Sequence, residues 1–88
     1  ADIQAEGKRY LCEKLEQSAY DYIGQYGNYV LIRTKKNPKK VAQMMREKKI
    51  LIKTYNNSLL KDWVRVTTGS KKIMRQFWDS FSRVDVEG

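Results

Sequence analysis

Trp63-Val64-Arg65-Val66-Thr67-Thr68-Gly69-Ser70 is the stretch on which the reading of this chain turns. Side chains alternate along a strand, so Val64 and Val66 face one side and Trp63, Arg65 and Thr67 the other. Gly69-Ser70 breaks the strand, and Ser70 caps a helix expected from about Ser70 to Arg83, with Ile73, Phe77, Phe81 and Val84 on one face. A cation at the centre of a strand has little rotamer freedom left to lose on meeting an anion. Arginine adds a planar fork that grips a carboxylate or phosphate with two parallel hydrogen bonds. Arg65 is therefore either a recognition residue or an ordinary solvated strand cation, since most charges stay in water.

Working outward, a first helix spans about Asp2 to Gln17, with Ile3, Tyr10, Leu11 and Leu15 sharing a face. Ser18 to Asn28 reads as a loop. Tyr29-Val30-Leu31-Ile32 follows as a continuous apolar run, the pattern of a strand covered on both faces. Asn37-Pro38 starts a second helix, with Asn as cap and Pro at the first helical position. Val41, Met44 and Met45 form its apolar stripe, and it ends near Lys48. Ile50-Leu51-Ile52-Lys53-Thr54-Tyr55 is a second strand, and Asn56-Asn57-Ser58 turns the chain toward the Arg65 strand. The order is helix–strand–helix–strand–strand–helix. It predicts a small two-layer α+β domain with helices on one face of a short sheet. Trp63, Arg65 and Thr67 then lie on the uncovered face, which is either a docking surface for another domain or simply wet.

Composition narrows the function. Eighty-eight residues make one domain. Histidine is absent and Cys12 is the only cysteine, which excludes His-dependent triads and an internal disulfide and leaves little for zinc or haem. No apolar run approaches the roughly 20 residues of a membrane span. The chain begins at Ala1-Asp2 inside a helical pattern, as expected of a piece of a longer polypeptide. A net charge of +8 raises nucleic acid as a partner. Yet lysines outnumber arginines 12 to 6, and the clusters at 35–40, 48–49 and 71–72 fall at helix ends rather than along one stripe. The sheet motif of RNA-recognition domains is also missing. A basic RNA-binding module therefore stands as the alternative, with nucleic acid not expected as the main partner.

Taken in order, these segments resemble the C-terminal small domain of class I/II pyridoxal-phosphate aminotransferases, in particular the histidinol-phosphate aminotransferase and threonine-phosphate decarboxylase branch. The resemblance is carried by Leu15-Glu16-Gln17-Ser18, Gly27-Asn28-Tyr29-Val30-Leu31-Ile32-Arg33, Val41-Ala42-Gln43-Met44-Met45-Arg46-Glu47-Lys48, Ile50-Leu51-Ile52-Lys53 and Val64 to Ser70. It implies that residues 1–88 are one domain of a cytoplasmic, homodimeric enzyme of amino-acid biosynthesis. That enzyme would move an amino group between an anionic substrate and a 2-oxo acid. It further implies that Arg65 holds the substrate anion, with Lys53 beside it. Lys53 stands where the family carries an arginine, keeping the charge without the fork. Lys49 stands where the family has glycine, so either it accepts a positive φ or the turn differs there. The pyridoxal phosphate and its Schiff-base lysine belong to a large domain absent from this chain, so no residue here is expected to be catalytic.

Overall fold

The computed structural model describes residues 3–87, the side chains of Gln4 and Glu87 excepted. The elements run α1 (Ile3–Gln17), β1 (Tyr22–Ile23), β2 (Tyr29–Arg33), α2 (Pro38–Glu47), β3 (Lys53–Thr54), β4 (Trp63–Thr67) and α3 (Lys71–Ser82). A π-helical turn, Arg83–Glu87, follows α3. The sheet has the order β1-β2-β4-β3 and is antiparallel throughout. The α+β class and the helix–strand–helix–strand–strand–helix order hold. The two-residue strand β1 is added to them, where the sequence read as loop.

The helix boundaries follow local chemistry. Asn37 accepts hydrogen bonds from the Lys39 and Lys40 N–H groups at 2.9 and 3.4 Å, and Pro38 opens α2. Ser70 Oγ accepts from Ile73 N at 3.3 Å to start α3. Two helices end in the same motif. In α1, Ala19 has φ 60°, with Tyr20 N–H donating to Leu15 and Ala19 N–H to Glu16. In α2, Lys49 has φ 64°, with Ile50 N–H donating to Met45 and Lys49 N–H to Arg46. Both are Schellman caps built without glycine.

Val30, Ile32, Val64 and Val66 point from the sheet into a core closed by Leu11 and Leu15 of α1, Val41 and Met45 of α2, and Met74, Phe77, Trp78 and Phe81 of α3. Phe77 and Phe81 stack at 5.1 Å, and Tyr20 meets the Trp78 edge at 6.0 Å. α1 reaches the β4–α3 junction because Gly7 has no side chain; a Cβ there would overlap the Gly69 carbonyl oxygen.

Several expectations change. Ile3, Met44 and Ile73 lie on the solvent side of their helices, and Met74 with Trp78 fills the core where Ile73 was expected. Helical angles alone cannot say which flank of a broad apolar stripe turns inward. The strand expected over residues 50–55 is laddered only at Lys53–Thr54, because Ile50 is held by the α2 cap. The Tyr29–Ile32 run is covered on one face only, with Val30 and Ile32 buried and Leu31 half-buried. Helical structure does not stop at Arg83, where the last helix was expected to end. The π turn carries Val84 into the core and buries Asp85.

Candidate anion-binding face of the sheet

The face of the sheet away from the helices carries Ile23, Tyr29, Leu31, Trp63, Arg65 and Lys53, none of them fully buried. Register decides their neighbours. Leu31 of β2 and Lys53 of β3 both stand directly opposite Arg65 of β4. The two residues singled out from the sequence, Arg65 and Lys53, are thus cross-strand partners on one surface. Like charges in that position repel, so the arrangement costs stability unless an anion sits between them.

What the cations touch is as informative. The Arg65 guanidinium lies 5.6 Å from the centre of the Tyr29 ring, and Lys53 Nζ lies 5.6 Å from that of Tyr55. Among the described residues, the one ion pair is Arg33–Asp62 at 3.9 Å, and no side-chain hydrogen bond involves Arg65 or Lys53. Each cation rests on an aromatic ring that orients it and leaves its donors unspent. Sequence reading missed Tyr29 as the platform. The signal was available: Tyr29 sits two residues before Leu31, so it shares the face, diagonally across from Arg65.

Chemistry beyond binding would need a group poised to give or take a proton near neutral pH. Every resolved shift runs the other way. Burial pushes the Cys12 thiol up, against an opposing effect from Lys8. Burial, then the hydrogen bond to Asp85, pushes the Tyr20 phenol well above its usual range. Donation to Glu16 pushes the Tyr22 phenol up to about 12. No cluster of three His, Cys, Asp or Glu residues suited to a metal occurs among the described residues, and no described helix is long and apolar enough to cross a membrane.

No protein-family model and no curated protein matches this sequence. Among solved structures, the chain is similar to a protein assigned as a histidinol-phosphate aminotransferase from Erwinia carotovora atroseptica, at a TM-score of 0.81 and 20% identity. The match covers 92% of this chain and 23% of that one. The likeness is one of fold, and this chain spans about a quarter of the length of the structure it matches.

Proposed function

We propose that this chain is the C-terminal small domain of a pyridoxal-phosphate-dependent aminotransferase of the histidinol-phosphate aminotransferase type, and that it holds the substrate's anionic group. The observation that carries the reading is the Arg65–Lys53 pair, opposed across two strands with no acid among the described residues to answer it. An anion with more than one acceptor oxygen relieves that repulsion and takes both parallel donors of the Arg65 fork. Tyr29 holds the guanidinium plane, so little freedom is lost on binding.

The chain by itself does not fit the cofactor. None of its lysines is buried, and the one buried carboxylate among the described residues, Asp85, already accepts from three donors. The cofactor and the group that reacts with it are assigned instead to a large domain of the same polypeptide. That domain would cover the half-buried Ile23, Leu31 and Trp63 around the cation pair. On the same reading the whole enzyme is a cytoplasmic homodimer of amino-acid biosynthesis. Amino transfer from an anionic amine to a 2-oxo acid should be measurable for the whole polypeptide and absent from the 88-residue chain alone. Turnover by the isolated chain, or none by the whole polypeptide, would overturn the assignment.

A further inference from the structure

Cations that are scattered in the sequence converge on one open groove of about 610 Å³ beside α2. Arg33, Lys35 and Lys36 come from the end of β2 and the loop after it, Lys39 from the first turn of α2, and Lys61 from the β3–β4 connection. Among the described residues Asp62 is the only acid lining it, and it pairs with Arg33 at 3.9 Å. Lys39 is fixed within the groove by a neutral acceptor, Asn56 Oδ1 at 2.6 Å, while the Lys35 and Lys36 ammonium groups are held on the Ser18 and Val84 carbonyls, outside the lining, at 3.1 and 3.3 Å. Such partners hold position without cancelling charge. Beyond the Arg33–Asp62 pair the groove thus keeps a positive excess from its lysines, and Tyr55 lies along it half-buried.

We propose that this groove binds the backbone of a single-stranded nucleic acid without regard to sequence, its phosphates against the ammonium groups and a base on Tyr55. A compact phosphate site uses backbone N–H groups or arginine forks. Here Asn37 already occupies the first free N–H groups of α2, and four of the five cations are lysines, which act as point charges. Point charges spread along an open groove beside an aromatic face suit a chain of phosphates and bases better than one enclosed anion. The proposal uses neither Arg65 nor Lys53 and shares with the anion-binding face only Tyr55, the ring beside Lys53.

The test is fluorescence anisotropy of labelled oligo(dT) and oligo(dA) with the chain, across a salt series. With three to five phosphate contacts, log K should fall against log salt with a slope of about −2 to −3.5, a loss of roughly 20- to 100-fold from 50 to 200 mM. The double variant K39Q/K61Q should flatten that slope by about 1.4, whereas K48Q/K72Q, which removes the same charge elsewhere, should leave it nearly unchanged. Tyr55→Leu should weaken binding about fivefold or more without altering the slope. Circular dichroism confirms that each variant is folded. Equal weakening by both double variants would reduce the effect to net charge and overturn the site. So would no binding at 50 mM, an unaffected Tyr55→Leu, or a strong preference for one sequence.

Discussion

Asp85 shows how one side chain fixes the frame around the basic loop. Its carboxylate accepts from the Tyr20 hydroxyl at 2.6 Å and from the Lys35 and Lys36 N–H groups at 2.9 and 3.0 Å. Asp85→Asn would set an NH2 donor against those donors and should cost about 2–4 kcal/mol in chemical denaturation. Tyr20→Phe removes one partner and should cost about 1 kcal/mol. It should also change the alkaline limb of stability. An unfolded tyrosine titrates near 10, and the folded Tyr20 titrates higher. The stability this linkage supplies is thus complete below pH about 10 and is lost above it. Urea melts between pH 8 and 11 should fall less steeply for Tyr20→Phe than for wild type; parallel curves would mean that the phenol is not linked to folding. Gly7 is the opposite case, a residue defined by what it lacks. Gly7→Ala gains about 1 kcal/mol of helix propensity but drives a methyl into the Gly69 carbonyl, a backbone atom with nowhere to go. A net loss of about 1–3 kcal/mol in thermal unfolding is expected. Neither role was legible beforehand, because Asp85 and Gly69 are each more than 45 residues from their principal partners.

At the scale of elements, the sequence was most legible where chemistry is local. The caps of α2 and α3 could be read from Asn37-Pro38 and Ser70, because a cap is decided within four residues. The inward faces of β2 and β4 followed from alternation. Strand β1 escaped, since its two residues carry no period and exist only by pairing with Leu31 and Ile32. Of the two outcomes open at Lys49 the positive φ is the one present, at 64°, whereas its counterpart at Ala19 lies in a stretch that reads as loop. Left-handed backbone costs a residue with a Cβ about 1–2 kcal/mol. Glycine removes that strain but adds unfolded-chain entropy. Lys49→Gly should therefore stabilise the domain by about 0.5–1 kcal/mol, and Lys49→Ala should not. Equal melting temperatures for the two variants would show that the strain is not stored at that cap.

For the molecule as a whole, the layering of helices over one side of a short sheet explains why a cation pair can stand unanswered. The core takes Val64 and Val66, the other side takes Arg65, and the register sets Lys53 opposite it. Arg65 and Lys53 could be singled out from strand alternation and family likeness, but their adjacency depends on a strand order that no single segment encodes. The same holds for the basic groove, where Lys61 joins a cluster more than twenty residues before it. The central claim is that Arg65 serves an anion and not the fold. Its guanidinium lies over the Tyr29 ring and makes no ion pair among the described residues, and Arg65 is outside the buried core, so truncation leaves the core intact. A shielded charge-assisted grip is worth about 2–5 kcal/mol. The direct measurement is steady-state kinetics beside thermal melts for Arg65→Ala in the whole polypeptide. The value of kcat/KM should fall roughly 30- to 4,000-fold with the melting temperature nearly unchanged, and Arg65→Lys should recover only part of the loss. Activity within threefold of wild type with a collapsed melting temperature would contradict it and make Arg65 a structural residue.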